Sequence, residues 1–381
     1  METAKTDMKS ILFISVMNGS AWGGSEEQWY QLARWMCKNN YKVGVCVFDW
    51  QEKQNKLDEL KKLGCRIFLL PHKGSGIFSN WKKNKILNTI PFNEYETAYV
   101  NQGGWHDIAH GPFKKLYKKL PPYALSFHNY QLGANLKSST IAVLKKWISK
   151  SAVCIAATKV IYQMLENEYG ITLANKEVSY SPVTFSPPVN LPARLAIHEN
   201  SAAVFLVLGA LDVNRKAQDV LIKCLSTHPW KNRKWKLNIY GEGKDRQLLA
   251  ALIKETGLEE KVVLKGHSND VKEILSGTDM LIQATHFDAM PISVIEAMAM
   301  GVPCLVSNIG DMPEWVKQDY NGFITLAVNE TALSEQLEIA WAKRESWGRM
   351  GENAYKTFLE KYPRPYEGKF AGLLEKYFQT L

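Results

Sequence analysis

The segment Asp288-Ala-Met-Pro-Ile-Ser-Val-Ile-Glu296 sets two carboxylates around a short turn of small residues and the start of a helix, which Gly301-Val302-Pro303 ends. A helix N-terminus offers unpaired N–H groups and about half a positive charge, which suits a phosphate. Asp288 and Glu296 flank that end and can accept hydrogen bonds from sugar hydroxyls. Amide hydrogens for a phosphate and acids for hydroxyls in one place point to nucleotide-sugar chemistry. Three further groups could serve such a site. Gly209-Ala-Leu-Asp-Val-Asn-Arg215-Lys216 brings two adjacent cations after a strand, and Gly23-Gly24 lets a backbone approach a ligand without an intervening side chain. His128 stands at the carboxyl end of a strand, and His106 follows Gly103-Gly104. Taken singly, the cations read equally well as a solvated loop and the histidines as structural residues.

These residues need a frame of parallel strands to hold them. Residues 11–17 read as a buried strand and 18–24 as a loop. A helix starts at Ser25, where Ser25 and Gln28 have capping-box spacing and Trp29, Leu32, Ala33 and Met36 share a face. Strands follow over 43–48, 65–70, 97–101, 124–128 and 152–156, with helices over 55–63 and about 160–169. Ser181-Pro-Val-Thr-Phe-Ser-Pro-Pro188 breaks regular structure, and 181–200 reads as an interdomain linker. A second alternation sets strands over 203–209, 236–240, 262–265, 280–284 and 304–307 between helices over 219–227, 246–256, 271–276 and 292–300. The rest, from about 331, reads as helical. The expected class is α/β with two doubly wound domains, 1–190 and 200–362, and a last helix in 363–381 packing back on the first.

Gly241-Glu-Gly243 follows one of these strands, Lys265-Gly266 the next, and then come Asp288…Glu296 and Gly301-Val-Pro303. That order resembles the retaining glycosyltransferases of family four, over nearly the whole chain and most strongly over 203–325. The resemblance implies the GT-B fold: two Rossmann-like domains facing a central cleft, with the acceptor on the first and the nucleotide-sugar donor on the second. It implies that Glu296 takes the ribose and Asp288 the donor sugar. The amides of Ala289, Met290 and Ile292 and the Ser293 hydroxyl would then lie near the diphosphate, with Gly209, Gly241 and Gly243 in the donor loops. It further matches Gly23-Gly24 to a glycine loop and His128 to a histidine beside the donor sugar. In the family an arginine and a lysine six residues apart neutralise the diphosphate. Lys216 matches the lysine, Ala210 stands at the arginine's place, and Arg215 is the neighbouring cation able to substitute. Cationic stabilisation of a departing diphosphate needs no metal, and the sequence has no Asp-x-Asp motif, so neither a metal nor another cofactor is expected. Two further departures are Asp288 in place of glutamate and Ala289 in place of glycine.

The implied reaction moves a sugar from a nucleoside-diphosphate sugar to a hydroxyl acceptor with retention. The acceptor would be a glycan, a lipid-linked or surface-polysaccharide precursor, or a small molecule, and UDP, GDP and ADP are equally compatible. A nucleotide-sugar epimerase of the same fold and a catalytically silent sugar-nucleotide-binding protein would use the same residues.

Composition adds bounds. With 381 residues, 46% hydrophobic and 22% charged, the chain can bury two cores. The apolar run at 11–17 is too short for a membrane span or a signal peptide, so a cytoplasmic protein is expected. The six cysteines are scattered without metal-ligand spacing and read as buried free thiols. Residues 1–180 hold 24 Lys+Arg against 14 Asp+Glu, and the remainder 23 against 24, so the +9 net charge belongs to the first half. Phe113, Leu116, Tyr117 and Leu120 share one side of a possible helix, with Lys114, Lys115, Lys118 and Lys119 on the other. Lys82, Lys83 and Lys85 beside Trp81, and Lys145, Lys146 and Trp147, extend the basic surface. These faces are either simply solvated or suited to an anionic membrane surface on the inner side. No recognition motif accompanies the charge, so nucleic acid is not expected.

Overall fold

The computed structural model describes residues 9–17, 21–72, 76–104, 107–129, 135–191 and 202–378. The chain forms two compact units, Met1–Pro182 with Pro363–Leu381, and Val183–Tyr362.

The first unit is built on seven parallel strands: β1 (Ser10–Ser15), β2 (Lys42–Asp49), β3 (Arg66–Pro71), β4 (Thr97–Gln102), β5 (Tyr123–Phe127), β6 (Val153–Ala156) and β7 (Lys176–Val178). Their order is β3-β2-β1-β4-β5-β6-β7. Helices cover both faces, so the central strands are apolar throughout rather than alternating, and β1 is buried at every position. Helix Gly24–Lys38 packs Trp29, Leu32, Ala33 and Met36 inward, as their spacing predicts. The capping box does not form. Gly23 is the N-cap, and the Ser25 hydroxyl donates to the Met17 sulfur instead. Gln28 accepts from the Tyr99 hydroxyl and donates to Tyr366 Oη at 2.7 Å, tying helix Tyr366–Phe378 into this unit. Burial of the glutamine amide has outweighed its local role at the helix end.

The second unit has six parallel strands: β8 (Ala203–Leu208), β9 (Trp235–Tyr240), β10 (Val262–Gly266), β11 (Met280–Gln283), β12 (Cys304–Ser307) and β13 (Gly322–Thr325), in the order β10-β9-β8-β11-β12-β13. Its core clusters Phe205, Trp230, Trp235 and Trp347. In each sheet the strand order reverses beside the first strand, between β1 and β4 and between β8 and β11. Loops leave in opposite directions there and open a crevice at the strands' carboxyl ends.

Residues 183–191, part of the expected linker and first domain, belong to the second unit. Val183 N donates to Tyr362 Oη at 3.0 Å, and Tyr355 Oη donates to Val189 O at 3.1 Å. The edge strands β7 and β13 and the helices Ile77–Leu87 and Ser138–Ile148 come in addition to the elements read from sequence. Five cysteines are buried and Cys37 is half-buried.

Candidate functional site

The loops after β8, β9, β11 and β12 converge at the second switch point, and glycines let their backbones touch. A Cβ on Gly241 would lie 1.9 Å from Gly209 O, and one on Gly243 2.3 Å from Leu211 O. Leu211 N donates to Glu242 O at 3.1 Å across the same junction. Gly310 admits the turn in the same way, since its Cβ would lie 2.0 Å from Ala289 O. Asp311 N donates to that carbonyl at 3.0 Å.

Against this backbone sits an ionic cluster. The short helix Val213–Lys216 stops at Ala217, which has a left-handed φ of 49°, and turns Lys216 inward. Lys216 Nζ donates to Asp288 Oδ2 at 2.5 Å, and Arg215 Nη2 donates to the same oxygen at 3.2 Å. Asp288 is 6% exposed and Lys216 9%, so both charges depend on this pairing. Burial alone would raise the Asp288 carboxyl, but the two cations outweigh it and hold it below the usual carboxylate range. Burial also lowers the Lys216 ammonium from its ordinary value, against the pull of Asp288. The segment before Asp288 is fastened to the cation loop: His286 N donates to Arg215 O at 2.9 Å and Thr285 Oγ1 to the same carbonyl at 2.6 Å.

Gln283, at the end of β11, links this cluster to the acidic helix. With its amide oriented by its neighbours, it accepts from Lys216 Nζ at 3.1 Å and donates to Ser293 Oγ at 3.3 Å. Ser293 lies in the first turn of helix Ile292–Ala299, whose N-cap is Pro291, and Glu296 is one turn on along the same side. The Ser293 hydroxyl thus faces Gln283 rather than standing open at the helix end. Ala289 and Met290 are buried and Ile292 is half-buried. Glu296 is 3% exposed and accepts from Thr184 N at 3.0 Å and Thr184 Oγ1 at 2.5 Å. The structure therefore brings Lys216, Arg215, Asp288, Ser293, Glu296, Gly209, Gly241 and Gly243 into one neighbourhood and adds Gln283 and Thr184.

The remaining expected residues lie in the first unit. Among the described residues nothing lies within 4 Å of a Cβ at Gly23, while Gly24 faces Ser181 Oγ at 3.0 Å from its Cβ position. Glu26 is wholly buried, paired with Lys53 at 2.9 Å and bonded by the Trp29 indole at 2.6 Å, so it holds the fold. His128 follows β5. Its Nε2 pairs with Ser126 Oγ at 2.6 Å, its Nδ1 is buried without a partner among the described residues, and burial pushes the imidazole down to about 3. It is neutral at physiological pH. His106 lies outside the described residues. The basic helix is a 3-10 helix, Gly111–Lys118, with Phe113 and Leu116 buried and Lys114, Lys115 and Lys118 exposed. Trp147 and Lys83 are buried and do not belong to an exposed face.

Residues 195–357 match the family model "Glycosyl transferases group 1". An uncharacterized glycosyltransferase of Methanocaldococcus jannaschii is 30% identical over 369 residues, covering 87% of this chain and 88% of that one. The chain belongs to the group 1 glycosyl transferases. Among other members, the N-acetyl-alpha-D-glucosaminyl L-malate synthase of Bacillus anthracis is 26% identical over 127 residues, a match spanning 33% of each chain. A solved Anabaena structure in complex with UDP superposes with a TM-score of 0.75 at 16% identity, over 97% of this chain and 100% of that one. Structural neighbours of this group 1 chain have the GT-B fold.

Proposed function

We propose that the chain transfers a sugar from a nucleoside-diphosphate sugar to a hydroxyl acceptor, with retention of configuration and without a metal. The observation that carries this reading is the pairing of Lys216 and Arg215 on Asp288 Oδ2, one loop from the start of helix Ile292–Ala299. A diphosphate competes with Asp288 for those cations and turns the carboxylate toward the donor's hydroxyls, while Glu296, held by Thr184, receives the ribose. Arg215 acts in place of the arginine absent at Ala210. The bond from the anomeric carbon to the diphosphate oxygen breaks, the acceptor oxygen bonds to that carbon on the same face, and its proton passes to the leaving diphosphate. Two adjacent cations of the chain are available to meet a developing leaving charge, which supports a metal-free step. The test is incubation with UDP-, GDP- and ADP-sugars, following nucleotide release. Release that falls in Glu296→Ala is expected. No release and no binding for any donor would overturn the reading.

The acceptor reading extends to an anionic membrane face. Among the described residues no helix is long and apolar enough to cross a membrane. Helix Ile77–Leu87, however, exposes Ile77 (87%), Phe78 (83%) and Trp81 (60%) beside Lys82 and Lys85, a composition suited to the interfacial zone. Co-sedimentation with anionic vesicles tests it. Equal recovery in the supernatant with and without vesicles would contradict it.

A further inference from the structure

Three lysines are buried among the described residues, and they are not alike. Lys53 is paired with Glu26 at 2.9 Å and Lys216 with Asp288 at 2.5 Å. Lys83 is only 8% exposed, and among the described residues its ammonium makes no hydrogen bond or ion pair; it lies 5.3 Å from the centre of the Phe48 ring. Burial lowers it below the ordinary lysine range. A cation–π contact leaves the ammonium's three N–H donors unused, so they remain available to a ligand in the adjoining cavity.

Lys83 lines a cavity of about 190 Å³ with Asn80, Asp107 and His110, walled by Val16 just past the carboxyl end of β1 and by Phe48 in β2. That volume holds several waters, or one small charged group with its attached carbons. Asp107 Oδ2 accepts from Gly103 N at 2.8 Å and Gly104 N at 3.1 Å, which offsets part of its charge. Beyond Gly111 and Pro112, which line both, a second cavity of about 320 Å³ is bordered by Asn84, Lys114, Lys115 and Lys119. The wall between them depends on Gly111, whose Cβ would lie 2.5 Å from Asn80 Oδ1.

We propose that this pocket is an anion subsite for the acceptor. Lys83 receives a phosphate or carboxylate of a hydroxyl-bearing acceptor, and the lysine-lined cavity beside it takes further negative charge. The inference rests on the glycosyl-transfer reading for the word acceptor, but the binding site itself is independent of the donor site. It also assigns Lys83 a role different from the exposed lysines of helix Ile77–Leu87.

The test is calorimetric titration of glycerol 3-phosphate, with glycerol as the neutral control, into the full chain and its Lys83→Met and Lys83→Arg variants. Each titration is run with the donor site filled by a nucleoside diphosphate and with it open. Glycerol 3-phosphate is expected to bind the parent and glycerol not to. Lys83→Met should weaken binding about 10- to 100-fold, the usual loss for a charged hydrogen bond, and Lys83→Arg should retain most of it. Lys83→Met should also keep the parent's thermal midpoint, which shows that it folds, and its nucleotide affinity should be unchanged. No binding of glycerol 3-phosphate, or equal binding by parent and Lys83→Met, would overturn the subsite. Nucleotides failing to bind while Lys83-dependent anion binding persists would sink the donor reading and leave the subsite standing.

Discussion

Asp288→Asn removes the charge that neutralises Lys216 while keeping the side chain's shape. With Lys216 Nζ at 2.5 Å from the carboxylate oxygen, the charge centres are about 3 Å apart and attract by roughly 5 kcal/mol at an effective dielectric near 20. The lysine can instead lose its proton, which from an ordinary pKa costs at most about 4 to 5 kcal/mol at pH 7, so the loss is capped near that value. Loss of one partner from a buried pair falls in the same range, about 3 to 5 kcal/mol. For a unit of this size each kcal/mol lowers the midpoint by about 2 to 4 °C, so thermal denaturation of the ligand-free variant should show a fall of about 6 to 12 °C or more in the second unit's transition. A nucleoside diphosphate brings back the missing negative charge. Its stabilising shift should therefore be larger in Asp288→Asn than in the parent, although turnover is lost. A variant as stable as the parent, or an equal nucleotide shift in both, would refute the idea that Asp288 and the diphosphate share Lys216.

Glu296→Ala should weaken nucleotide binding about 10- to 100-fold in titration calorimetry, the scale of a lost charge-assisted hydrogen bond. Arg215→Ala should lower kcat about 100- to 1000-fold, as for removal of one transition-state donor, and adding Ala210→Arg should restore at least tenfold of it in steady-state assays. Gly241→Ala should destabilise the second unit by more than about 3 kcal/mol, because its Cβ would overlap Gly209 O. Gly372→Ala, in open space on helix Tyr366–Phe378, should instead stabilise by about 0.5 to 1 kcal/mol in urea titrations. His128, neutral when folded and readily protonated when unfolded, contributes stability that is present above about pH 6.5 and lost as pH falls toward about 3. His128→Asn should flatten that acid arm by a few kcal/mol in pH-dependent denaturation.

How much of this was legible follows from where each residue's energy comes from. The central strands read correctly because burial on both faces demands unbroken apolar runs. The edge strand β7, Lys176-Glu-Val178, lacks that signal: it is short, and its first residue faces water. Helix Ile77–Leu87 escaped because its pattern is inverted, with Ile77, Phe78 and Trp81 outward and Ser79, Lys83 and Leu87 inward. Charge alone grouped Lys83 with its solvated neighbours, since a residue type carries no information on burial. Asp288, Glu296 and Lys216 could be singled out by type and spacing. Thr184 could not, because its bond to Glu296 joins residues 112 apart through a segment that reads as linker. Gln283 did carry a signal, a polar residue closing the buried run Met280-Leu-Ile.

The most direct test of the account is titration of UDP, GDP and ADP into the full chain and into Lys216→Ala. At least one nucleotide should bind the parent, and the variant should bind it at least tenfold more weakly, the lower end of the effect of losing a charged contact. Binding of none of the three, or equal binding by parent and variant, would contradict it.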